Sequence, residues 1–356
     1  MAGPVSVDVG TPAGWEAFTA AVTARGGVAH LGGASGGDAM AAARRRERAA
    51  LARKVALRVV LAVVTVLAVI VLTFLLEFVI PGNPARAVAG PKASPQVVAE
   101  VTRNLHLDRP LWRQLVDYVA NAAQGNLGYS YVSQQSVAGL VLGRLPATAL
   151  LMAAGVVVEL VVGGALGLWD GLHARRSWLL ATVNVGLLSV PTFTFGFALL
   201  LLFGYVWPVL PVSGGLGASQ LVLPALTLGL LGAPYYANVV RDQLREVLSA
   251  PFVRTALAKG LSRRAILGKH VFRVVIPPVL TMAGMDVALF LSGVVFVETI
   301  FAWPGIGQLQ VQAFDNVDRP VLMGTVIVAA AAVVVVNLVV DLLRLVVDPR
   351  VRAESL

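Results

Sequence analysis

Cysteine is absent from the 356 residues, which excludes a disulfide framework and thiolate metal sites. The four histidines, His30, His106, His173 and His270, are scattered and none has HExxH spacing, so no metal site is expected. No GxxxxGK[ST] phosphate loop occurs, so the chain cannot bind and hydrolyse ATP in that way. No Ser/His/Asp or paired-carboxylate constellation has a spacing useful to an enzyme. Charge itself is scarce. Only 13% of residues are charged and 57% are hydrophobic, whereas an ordinary soluble domain is about 25% charged. With a mean hydropathy of +0.80, too little polar surface exists to cover a water-soluble globule. Much of the surface must face lipid. The net charge of +9 does not point to nucleic acid, because the basic residues fall in short clusters between apolar stretches.

What is present is a sequence of long apolar runs behind a distinct leader. Residues 1–54 are rich in Gly, Ala, Ser and Pro and end in the basic run from Arg44 to Lys54. Such a segment buries too little apolar surface to offset its ordering entropy, and reads as a disordered basic tail. The run Val55–Ile80 is too long for the apolar region of a signal peptide and long enough to span a bilayer, which takes about 20 residues. Five more runs follow, at about Ala147–Trp169, Trp178–Trp207, Leu221–Val240, Val274–Val297 and Val321–Val346. Each must be helical, because lipid cannot satisfy open backbone groups. Pro191, inside the third, predicts a kink or a split.

Orientation follows from the loop charges. Basic residues flank the first helix, sit between the second and third (Arg175, Arg176), crowd residues 241–273, and recur at Arg350 and Arg352. With six helices these all lie on one side, so both termini are expected in the cytoplasm. The long loop 81–146 is then extracytoplasmic, and residues 353–356 form a short tail.

Residues 241–273 exceed what a topological anchor needs. Leu244, Val247 and Leu248 make an apolar strip at helical spacing, and Ser249-Ala250-Pro251 makes a break and a new start. Phe252 to Lys259 reads as a short helix stopped by Gly260, and Ser262 can cap the next one. Thr255, Ala256 and Ala258 permit close approach of another protein, while Phe252, Val253 and Leu257 supply apolar knobs. This pattern fits a docking element; the bland alternative is an amphipathic helix resting on anionic lipid.

Within that loop, RTALAKGLS (Arg254–Ser262) and HVFRVVIPPV (His270–Val279) resemble the cytoplasmic "EAA" loop of binding-protein-dependent ABC importer permeases, in its dipeptide/oligopeptide form. Arg254, Thr255, Ala256 and Gly260 match that form. The likeness continues in VIPGNPA (Val79–Ala85), LHLDRPLWRQLVDYV (Leu105–Val119), GNLGYSY (Gly125–Tyr131), RLPAT (Arg144–Thr148), ETIFAWPGIGQLQVQA (Glu298–Ala313), DRPVLMG (Asp318–Gly324) and VVDPRVR (Val346–Arg352). It covers about residues 54–352 in order and leaves 1–53 outside.

The resemblance implies an all-α type I permease fold in a bacterial inner membrane, as a non-catalytic pore subunit. It implies a homologous second permease, two ATPase subunits that carry ATP and Mg, an extracytoplasmic binding protein, and a peptide or similar small solute, nickel included. Phe252, Arg254, Thr255, Ala256, Lys259 and Gly260 would dock on the ATPase. Glu298, Phe301, Trp303, Pro304 and Gly305 would form an outer projection toward the binding protein; the alternative is an interfacial aromatic anchor. Asp286, where the family commonly has Gln, Glu159 and Asn184 are candidates for the translocation path, since intramembrane acids are costly and face a cavity or a partner. A cationic cargo group would suit Asp286, as would a hydrogen bond to Asn184 or Asn337. Glu298 and Glu77 are placed near outer ends, close to water. A secondary transporter is the rival from another class, but it would leave the elaborate basic loop without a purpose. A channel would need a selectivity filter, and none is visible.

Overall fold

Proline and short polar side chains set where the helices begin. In the computed structural model, residues 53, 56–76, 83–90, 92–173, 177–212 and 214–347 are described. Among these the chain is helical apart from turns, loops and one isolated antiparallel bridge, Tyr129 to Ser136. The expectations for the tail, Glu77, Arg175, Arg176, Arg350 and Arg352 lie outside the described residues. Residues 61–356 form one compact unit.

Helix α1 is Ala56–Leu76. The loop expected over 81–146 is largely helical: α2 (Pro84–Ala89), α3 (Pro95–Asn104) and α4 (Leu111–Ala123). Asn83 and Ser94 cap the first two by accepting from Arg86 N and Val97 N. A hairpin then returns to α5, Val137–Leu172, which begins ten residues before the expected Ala147 and contains a π-turn at Glu159–Gly163. Pro191 does split the third run. Helix α6 (Ser177–Leu188) and α7 (Thr192–Val206) meet at a bend of 100°, because proline has no N–H to continue the ladder.

Helix α8, Ala218–Ser249, does not stop at the expected Val240 but runs on for more than two turns. Helix α9 is Pro251–Ala258, α10 is Arg263–Ile266, and a π-turn leads into α11, Phe272–Ile300. Helix α12 is Ile306–Asp315 and α13 is Arg319–Val347. Among the described residues, four helices are long and apolar enough to cross a membrane, or five if α6–α7 counts as one span.

Helices α5 and α8 pack through glycines. A Cβ on Gly163 would lie 2.5 Å from Ala233 O, and one on Gly167 would lie 2.6 Å from Ala237 O. Bare backbone is therefore what lets the two helices touch, the usual device where lipid offers no hydrophobic drive between helices. Above this seam Leu151, Leu223, Leu228, Val297 and Trp303 share one core. At the arginine-rich end Leu244, Val247, Val253, Ile266 and Val275 share another.

Candidate functional site

The short helix of the basic loop forms where the sequence places it. Ala250 is extended, Pro251 opens α9, and the Leu257 carbonyl accepts from Gly260 N at 2.9 Å, with Gly260 at φ +81°. Such a left-handed stop favours glycine. Ser262 Oγ accepts from Ala265 N at 3.3 Å, as expected of a cap. One knob is corrected: Val253 is 3% exposed and packs inward with Leu244 and Ile266. It anchors the helix rather than offering a contact. Phe252 and Leu257 stay exposed, as do Arg254, Thr255, Ala258, Lys259 and Gly260, and Ala256 is half-buried. The helix is thus pinned by one side chain and presents small and apolar groups outward.

Two arginines counted as topological charge are held instead by a buried acid. Asp170, 4% exposed near the end of α5, lies 3.6 Å from Arg241 Nη1 and 3.6 Å from Arg245 Nη2. The i,i+4 spacing of the arginines puts both on one face of α8; that spacing was the available signal. The pair ties α5 to the extension of α8 that carries α9.

The segment expected to project outward is packed inside. Glu298 is 0% exposed, Phe301 3% and Trp303 1%. The Trp303 indole donates to Ala147 O at 2.9 Å, so its polar edge is not open to solvent. Nor is Glu298 close to water. Its carboxylate accepts from Thr148 Oγ1 at 2.7 Å and from Gln308 N at 3.1 Å, while Thr148 Oγ1 accepts from Ile306 N at 2.9 Å. Glu298 and Thr148 therefore cap the start of α12 from two other helices, serving amides that a helix leaves unpaired. A Cβ on Gly305 would lie 1.9 Å from Glu298 Oε1. The glycine is required by that approach.

A second lock was missed in the sequence. Asp318, 4% exposed, accepts from Ser130 Oγ at 2.5 Å and from Tyr131 N at 3.0 Å. It joins GNLGYSY to DRPVLMG across nearly 190 positions of chain. Only the two motifs' separate appearance hinted at it.

The three path candidates divide. Asn184 Nδ2 donates to Asn238 Oδ1 at 3.4 Å, not to Asp286, and Asn337 is exposed. The hydroxyl of Tyr236 donates to Asp286 instead. Glu159 is 2% exposed and lies against Gly232, one turn before Tyr236 on α8. Glu159 and Asp286 thus meet α8 one turn apart, at Gly232 and Tyr236, from α5 and α11, and Asn184 stands apart.

Two family models match this chain. Residues 160–353 match the binding-protein-dependent transport system inner membrane component, and residues 51–152 match the N-terminal part of such a membrane component. The glutathione transport system permease protein GsiC of Escherichia coli strain K12 is 36% identical over 284 residues, 79% of this chain and 92% of the relative. GsiC of Shigella flexneri serotype 5b has the same identity and coverage. The basic loop and the Glu298 and Asp318 locks are thus features of a chain that belongs to the family of multi-pass inner-membrane permease components of binding-protein-dependent ABC importers.

Proposed function

We propose that this permease forms half of the pore of an ATP-driven importer of di- or oligopeptides, with a homologous permease forming the other half. The peptide cargo is supported by the similarity to permeases named for glutathione, itself a tripeptide derivative, and by the dipeptide form of the basic loop. In this reading the chain crosses the membrane six times with both termini in the cytoplasm, which the charge of the loops supports. ATP and Mg belong to two partner ATPase subunits, and a binding protein delivers cargo outside.

The observation that carries this reading is α9. Val253 anchors it, while Phe252, Arg254, Thr255, Ala256, Lys259 and Gly260 lie on or beside its outer surface. That surface seats in a groove of the ATPase, and closure of the ATPase pair moves α9 together with α8. The Asp170 ion pairs pass the motion to α5. Such rigid-body coupling switches access to the pore between its two faces. At the far end the Glu298–Gly305 segment, including Pro304, acts as a rigid wedge on which the binding protein bears. Asp286 and Glu159 line or border the path, with Asn184 at its margin.

Ala256→Trp blocks the close approach, so transport falls while the purified complex still hydrolyses ATP. Thr255→Cys cross-links to an ATPase subunit in native membranes. Unchanged transport in the first variant, or cross-links only to lipid in the second, removes the basis for this reading.

A further inference from the structure

Glu159 is hard to explain by packing alone. It opens the π-turn of α5, is 2% exposed, and its Oε2 is buried without a hydrogen-bond partner. An ionised carboxylate in apolar surroundings is unfavourable unless it is paired. π-turns inside helices are frequent at functional sites. Gly232 makes the room: a Cβ there would lie 1.5 Å from Glu159 Oε1. Tyr236 follows one helical turn later on the same face, is 1% exposed, and donates its hydroxyl to Asp286. None of the ion pairs among the described residues involves either acid. Asp286 itself is half-buried, beside the exposed side chains of Met285 and Leu289 on α11. Asp286 is thus the least buried member of the cluster, with Tyr236 and the second acid behind it.

We propose that Glu159, Tyr236 and Asp286 form a binding site for a primary ammonium group, supplied by the amino terminus of the transported peptide. This rests on the peptide reading above. An ammonium group brings three N–H donors. The site offers the unpartnered Oε2 of Glu159, the carboxylate of Asp286, and the remaining lone pair of the Tyr236 hydroxyl. An acylated amino end carries neither the charge nor the three donors. A lysine of the partner permease has the same chemistry, and the experiment separates the two sources.

The test is equilibrium binding of radiolabelled trialanine and N-acetyltrialanine to the purified complex of both permeases and their ATPases, without the binding protein. The free peptide binds tighter by about tenfold or more, the scale of a charge-assisted contact. Glu159→Gln and Asp286→Asn each bring that ratio close to one, with both permeases and the ATPases still co-purifying. Equal affinity of the wild-type complex for the two peptides, or binding of neither, overturns the proposal, and so does a ratio unchanged in both variants. Loss of the partner permease from Asp286→Asn, with the ratio intact in Glu159→Gln, assigns the acids to a basic group of that subunit and also overturns it. Should a variant fail to assemble, the wild-type comparison decides alone. Absence of ATP-dependent peptide uptake by the complete importer in proteoliposomes is a separate result, and it overturns the cargo reading.

Discussion

Single side chains hold the segment from Glu298 to Gly305 together. Glu298 receives two donors and sits where a Cβ on Gly305 would be. Removing it leaves buried donors without partners, each costing about 1–3 kcal/mol. Glu298→Ala is therefore expected to lower the stability of the detergent-solubilised complex by about 2–5 kcal/mol, read as a fall in its thermal midpoint. Thr148→Val keeps the shape, loses the donor to Glu298 and the acceptor for Ile306 N, and costs about 1–3 kcal/mol. If Thr148→Val melts with the wild type, the capping account of this segment is wrong. The sequence showed Glu298 and Trp303 as notable residues in a turn rich in glycine and proline. It did not show that they face inward, because that depends on Thr148 and Ala147, contributed from some 150 positions earlier.

Among elements, the seam between α5 and α8 is the most constrained. Gly167 meets the backbone of Ala237, which cannot rotate aside as a side chain can. Gly167→Ala is expected to destabilise the protein by about 1–3 kcal/mol through overpacking. Gly164, three residues away on the same helix, has nothing within 4 Å of its would-be Cβ. Gly164→Ala should be neutral or stabilising by about 0.5–1 kcal/mol, since alanine loses less entropy in a helix. Equal effects of the two changes, measured by thermal unfolding in one detergent, would sink this packing account. Helix α9 was legible beforehand because its signals are local: Pro251 to open it, Gly260 to stop it, and Ser262 to cap its successor. The extension of α8 to Ser249 was legible only in part: Leu244, Val247 and Leu248 fall at helical spacing, but the polar residues after Val240 hide that the helix runs on unbroken. Its last turns are held by burial of Leu244 and Val247 against α9 and α11.

At the scale of the whole molecule, distant segments are joined by few polar contacts. Asp318 gathers Ser130 and Tyr131 to the start of α13. Asp318→Ala should free the hairpin, seen as faster amide exchange at Tyr131 and its neighbours with exchange across α9 unchanged. Protection that persists in the variant argues against the lock. The absence of cysteine gives a direct test of orientation. A membrane-impermeant maleimide is expected to label Gln134→Cys in intact cells and Thr255→Cys only after permeabilisation. Labelling of both from one side contradicts an extracytoplasmic hairpin opposite the docking helix.

The sequence alone determined that the chain is a helical membrane protein, where its third run breaks, and which short helix stands out from a basic loop. Those properties depend on composition, on proline and glycine at given positions, and on apolar runs that lipid forces into helices. Only the tertiary structure decided which side chains of these elements are hidden and what they meet. Val253 and Trp303 turned inward, Asp170 gathered two arginines, and Tyr236 met Asp286. Each of the polar pairings joins residues far apart in the chain, so no local spacing encodes the contact itself. It exists because buried polar groups must find partners across packed helices.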